Sequence, residues 1–163
     1  MGASRKYSGD LRGTITAILS GTVTREQVND IISLSHAFAL ILLRKKLTAG
    51  KLNLSLIHLD LHDLAYDCIA DLFRMDDDHT LIQLSSYFGS LPLHQLSDVQ
   101  MVDHLRRIVF SKVNQGIFRI YFEHDPSLGK ILRNIRITVQ TLHTFIETDR
   151  FGESLLVPSF IDP

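Results

Sequence analysis

The sequence predicts a mostly α-helical single domain, a compact bundle of about five to six helices with a small C-terminal β-hairpin. Apolar residues recur at three- and four-residue steps along most of the chain, which is the helical period. Helix-start signals stand before those runs: Thr24 with Gln27, Asp60, Ser97 and Asp125-Pro126. Only the last stretch changes character, to Thr and β-branched residues around a Gly turn. With 163 residues, 45% of them hydrophobic and 21% charged, the chain can bury the full core of one domain. It divides into a flexible lead (1–9), a helical domain (10–142) and an appendage (143–163). Residues 159–163 carry no closing pattern, so the chain reads as a fragment of a longer one.

Taken in order, Leu11, Ile15, Ile18 and Leu19 mark a first helix, stopped by Ser20-Gly21. Thr24 and Gln27 form a capping-box pair ahead of a long helix. That helix runs through Ile31 and Leu43, apolar on nearly every side and therefore expected at the centre of the bundle. Arg44, Lys45 and Lys46 favour its C-terminal dipole and Gly50 closes it. Leu52, Leu54 and Leu56 alternate with polar residues, a short extended segment or an irregular lead into the next helix.

That next helix, 61–73, has Asp60 as N-cap and buries Leu61, Leu64, Ala65, Cys68 and Leu72. Met75 and three aspartates form a solvated loop. A short helix spans 81–88, and Ser97 caps the longest one, 98 to about 123, whose core stripe is Val102, Leu105, Val109, Val113, Gly116 and Ile120. Asp125-Pro126 opens a last helix with Leu128, Ile131, Leu132, Ile135 and Leu142 inward and Lys130, Arg133, Asn134 and Arg136 outside.

Several function classes find no support. Residues 1–10 have no signal-peptide pattern, and the longest apolar run, 37–43, is too short to cross a bilayer, so no membrane is expected. The single Cys68 has no disulfide or zinc partner, which fits a reducing cytoplasm. No Gly-rich phosphate loop follows a strand and no Gly-x-Ser-x-Gly turn is present, so neither a cofactor nor nucleophilic catalysis is expected.

Charge is more informative. Asp60, Asp63, Asp67 and Asp71 recur at helical spacing and line one stripe, where like charges repel. Capping accounts for Asp60 and Asp63. Asp67 and Asp71 either pair with the basic half of the chain or wait for a basic partner, and the second reading is favoured. Residues 51–100 hold two basic side chains against eight acidic, net −6, while residues 101–140 hold seven against three, net +4. This suits a protein with one anionic and one cationic surface. On the long helix, Phe110, Phe118, Tyr121 and Phe122 are interleaved with Arg106, Arg107, Lys112 and Arg119. Cations that follow phosphates and aromatic faces that stack bases are what single-stranded nucleic acid requires. The same aromatics would equally suit a buried face.

Two resemblances enter here. Leu61-His62-Asp63-Leu64-Ala65, with His36 earlier and His58 four residues before His62, resembles the central motif of HD-type phosphohydrolases. It implies a metal-dependent hydrolase centred on His36, His62 and Asp63. Asp63-Leu64-Ala65-Tyr66-Asp67-Cys68-Ile69-Ala70-Asp71-Leu72-Phe73 resembles the Asp-Leu-x-x-Glu-x-Phe-x-x-Leu-Trp pattern of bacterial RNA polymerase sigma factors. Leu105-Arg106-Arg107-Ile108-Val109 stands where that family has its Leu-x-x-Ile-Ala-Arg-Asn helix, and the resemblance covers roughly residues 25–124. Tyr66 replaces the usual Gln, the chain has no Trp, and the family's C-terminal helix-turn-helix is missing.

The sigma resemblance implies a transcription protein that does no chemistry. Asp63, Asp67 and Asp71 would bind RNA polymerase core. Arg106, Arg107, Lys112, Phe118, Arg119 and Tyr121 would hold promoter DNA, in single-stranded form. This is the leading expectation. The phosphohydrolase and a helical protein–protein module without DNA binding are the alternatives.

Overall fold

The computed structural model describes residues 10–53, 59–142, 145–150 and 153–158. Over these residues the expected class holds: six α-helices and one two-stranded antiparallel sheet. The lead, the Leu54–Leu56 alternation, His58 and the chain end lie outside the described residues, as do the side chains of Leu128, Leu132 and Leu142.

Local chemistry sets the helix starts. Asp10 accepts from the Gly13 N–H and opens α1 (Leu11–Leu19). Thr24 and Gln27 complete a reciprocal capping box ahead of α2 (Arg25–Thr48), which ends before Gly50 at φ +69°. Asp60 accepts from the N–H groups of His62 and Asp63 at the head of α3 (Leu61–Ile69). Those two bonds to the ionised form hold the Asp60 carboxyl below its ordinary range. The acidic helix is shorter than expected, because it tightens into a 3₁₀ turn at Ala70–Phe73. The loop that follows is more than solvation: Asp76 accepts from the N–H groups of Asp78 and Thr80 and so builds the turn.

Helix α4 spans Ile82–Gly89, and a second capping box, Ser97 with Gln100, starts α5 (Asp98–His124). Arg12 ties α1 to this junction through the Leu93 and Leu96 carbonyls and Asp98.

Helices α2, α3 and α5 pack on one another, with α1 and α4 closing the bundle. Leu64, Leu72, Leu84, Phe88, Met101, Leu105 and Val109 are fully buried between them. Two expectations are corrected. First, α2 is not apolar-buried all round: Ile31, Ser35, Ala39, Leu40 and Leu43 form one buried stripe, while Ile41 is 58% exposed. The helix packs with α3 and α5 at the middle of the bundle, yet keeps one face open to solvent. Second, Val102 is only half-buried, and Met101 and Ile117 complete the core stripe of α5.

One close approach fixes the centre. Gly116 lies against Cys68, and a Cβ there would stand 2.6 Å from the Cys68 Sγ and 3.1 Å from its Cα. Only glycine lets α3 and α5 cross at this distance. The same burial pushes the Cys68 thiol up to about 12, with Asp67 adding to the rise and Arg119 opposing it.

Beyond α5 the packing changes. Asp125 accepts from the N–H and hydroxyl of Ser127 and opens α6 (Pro126–Leu142), whose base is held where the Phe122 ring covers Gly129. The inward placement of Ile131 and Ile135 is corrected: they are 52% and 45% exposed, and Ile137 is 50% exposed. The reason is topological, since among the described residues α6 packs chiefly on α5 and β1. Strands β1 (Phe145–Arg150) and β2 (Glu153–Pro158) pair from Phe145 with Pro158 to Arg150 with Glu153. The hairpin is therefore present where it was expected, although 139–142 stay helical.

Candidate nucleic-acid interface

The crossing at Gly116 sets a register of charges between α3 and α5. Asp67 pairs with Arg119 at 2.6 Å and Asp71 with Lys112 at 2.8 Å. As the α3 numbers rise the α5 numbers fall, so the two stripes run antiparallel. The choice left open by the sequence is answered in part: both aspartates pair inwardly, with the basic half of the chain. The pairs are not alike. Asp67 and Arg119 are both about half exposed, whereas the Lys112 side chain is only 16% exposed and Asp71 also accepts from Gln83. The Lys112 ammonium holds the Asp71 carboxyl below its ordinary range, with the Gln83 amide helping. Asp63 is exposed, and its neighbour Tyr66 stands 50% exposed with its ring stacked on His36 at 4.0 Å.

The basic-aromatic residues divide into three groups. Phe110 and Tyr121 pack partly into the core, and the Tyr121 hydroxyl accepts from the Asn53 N–H. Lys112 is taken up by Asp71. Phe118 and Phe122 remain 49% and 36% exposed with ring centroids 5.0 Å apart, beside the half-exposed Arg119. Because Phe122 lies over Gly129, the first turns of α6 bring exposed Lys130 and Arg133 to the same end of α5. Toward the other end, Arg106, Arg107 and Phe110 line a cleft of about 200 Å³ with Asp103, which pairs with Arg106 at 2.6 Å.

Of the metal alternative, His36 and His62 are brought near one another, and with Asp63 they form no ligand set. His36 Nε2 lies 3.4 Å from the His62 carbonyl oxygen, and the two rings are 5.4 Å apart. Among the described residues, no group of three or more His, Cys, Asp or Glu side chains is placed to hold an ion. Burial lowers the His36 pKa, the hydrogen bond at the His62 carbonyl opposes that, and repulsion from the His62 ring adds to it.

The sequence reading missed Gln83, Lys130, Arg133 and the His36–Tyr66 stack. Gln83 and the stack are contacts between distant segments and leave no periodic signal. Lys130 and Arg133 were visible as cations, and only the fold of α6 onto Phe122 joins them to the aromatic pair. No family model matches this chain, nor does any curated protein or solved structure. No helix among the described residues is long and apolar enough to cross a membrane.

Proposed function

We propose that this chain is a sigma-like transcription protein that binds single-stranded DNA along α5 and RNA polymerase core through the outer edge of α3. The observation that carries the DNA half is the Phe118–Phe122 pair. Two half-exposed aromatic rings among Arg119, Lys130 and Arg133 supply a stacking platform with phosphate-binding cations around it. Arg106, Arg107 and Phe110 offer a second aromatic-cation cluster farther along the same helix. The polymerase half rests on Asp63, on Tyr66 and on the exposed side of Asp67.

The Asp67–Arg119 pair couples the two surfaces. A basic residue of the polymerase that draws Asp67 away would leave Arg119 to a phosphate. The deciding experiment is fluorescence anisotropy of a single-stranded oligonucleotide against salt concentration. Affinity should fall steeply with salt, because phosphate contacts release counterions. Phe118→Ala should lose about 1–3 kcal/mol of binding without changing the salt slope. Asp67→Asn should tighten DNA binding and steepen the slope by about one unit, since it frees one cation. Binding that is flat in salt removes the DNA reading. Separately, retention of Asp63→Lys/Asp67→Lys on polymerase core at the wild-type level removes the role given to α3.

A further inference from the structure

The apolar surface left open by α6 and the hairpin is the largest feature that this function does not use. By spacing alone, Leu128, Leu132, Ile135, Val139 and Leu142 follow alternating four- and three-residue steps, the seam of a paired helix. In the structure Ile131, Ile135 and Ile137 are about half exposed on α6. The hairpin adds Phe145, Ile146, Leu155, Leu156 and Val157, each 39–56% exposed. The register puts Phe145 and Leu156 on one face and Ile146, Leu155 and Val157 on the other, so both faces of the sheet are open. An isolated two-stranded hairpin is marginal in water, and both of its strands are edges.

We infer that a second copy of this chain covers this surface, in a two-fold dimer built from α6 and the hairpin. Ile131 and Ile135 with the Ile146, Leu155 and Val157 face of the sheet, at roughly 80 Å² each, expose on the order of 400 Å² of apolar surface, close to the about 450 Å² that a standard interface takes per partner. The charges also choose the occupant. Helix α6 carries Lys130, Arg133 and Arg136 with no acidic residue, whereas the hairpin carries Glu147, Asp149 and Glu153 against Arg150. A nucleic acid would be repelled by the hairpin. A uniformly acidic or basic protein would suit one element and oppose the other. A second copy presents both signs, and a two-fold axis lets each α6 meet the other hairpin.

Sedimentation velocity on the full chain, over a dilution series from roughly 1 to 100 µM, tests this directly. The wild type should sediment as a dimer in the upper part of the range. Ile131→Glu/Ile135→Glu should be monomeric throughout, with unchanged helical circular dichroism. Ile146→Lys/Val157→Lys is the second variant, affecting the hairpin alone, and should weaken the dimer at least tenfold. Lys130→Glu/Arg133→Glu should also weaken it, which a purely apolar contact would not do. A wild type that is monomeric at every concentration overturns the dimer, and so does a dimer that all three variants leave intact.

Discussion

The bundle from α1 to α5 and the arm formed by α6 and the hairpin are written in the same kind of amphipathic sequence, with opposite results. In the bundle Leu64, Leu84, Phe88 and Leu105 are fully buried, whereas in the arm Ile131, Ile135 and Ile146 are about half exposed. The comparison teaches that apolar periodicity states which side of an element avoids water, not whether the same chain supplies the cover. In the bundle the topology brings at least two other elements onto each helix. In the arm the chain ends its described course with one helix and two strands that meet little else.

The largest effect should therefore come from truncating the core. Phe88→Ala should cost about 3–5 kcal/mol in chemical denaturation, through lost burial and the cavity left behind. Ile146→Ala, measured at dilutions where the chain is monomeric, should change stability by less than about 0.5 kcal/mol. Equal losses would break the distinction between bundle and arm.

Two tight helix–helix glycines, Gly116 and Gly129, sharpen the same contrast at smaller scale. Gly116→Ala brings a Cβ against the Cys68 backbone as well as its sulfur, so two helices must separate, at about 1–3 kcal/mol. Gly129→Ala meets only the ring of Phe122, a side chain already 36% exposed that can swing aside. Its cost should stay within about 0.5 kcal/mol, and the gain in helix propensity opposes it. Thermal denaturation of the two variants side by side reads the difference.

How much of this was legible in the sequence follows the same division. Helix starts were readable because capping is local: Thr24 with Gln27, Asp60, Ser97 and Asp125 each act within a few residues. The core of α3 was readable because Leu64, Cys68 and Leu72 share one period. The partners of Asp67 and Asp71 were not, since Arg119 and Lys112 stand 52 and 41 residues away and their register depends on Gly116 meeting Cys68. The same limit explains why α2 read as buried on nearly every side and α6 as inward. An apolar pattern is identical in sequence whether one neighbour or three lie against it. For the interface, residue types along α5 were legible, but which aromatics stay exposed was decided by packing: Phe110 and Tyr121 turn inward, Phe118 and Phe122 outward.

The two inward ion pairs give the next step down. Asp71→Asn leaves Lys112, only 16% exposed, without its carboxylate and should cost about 1–2 kcal/mol. Asp67→Asn removes a pair whose members are both about half exposed, and should stay within about 0.5 kcal/mol. Similar losses would mean that the outer pair is as structural as the inner one, and Asp67 could not be spared for a partner.

The smallest effect is the pH dependence, and it too separates bundle from arm. The folded pKa values of Asp60 and Asp71 lie below their ordinary 3.8, so the unfolded chain binds protons first as pH falls. Their contribution to stability is complete above that value and is lost as pH drops through the folded values. His36 is lowered from 6.5 chiefly by burial, against the hydrogen bond at the His62 carbonyl, so the fold favours its neutral ring. Stability should therefore fall in two steps on acidification, a shallow one starting near pH 6.5 and a second below about pH 4. His36→Gln should remove the first step and Asp71→Asn should flatten the second, each followed by urea midpoints across pH. All three groups sit on α2, α3 and the turn after α3, so a chain cut back to the end of α5, if it remains folded, should keep both steps. Losing either step in that truncation would show that the arm stabilises the bundle's own charges.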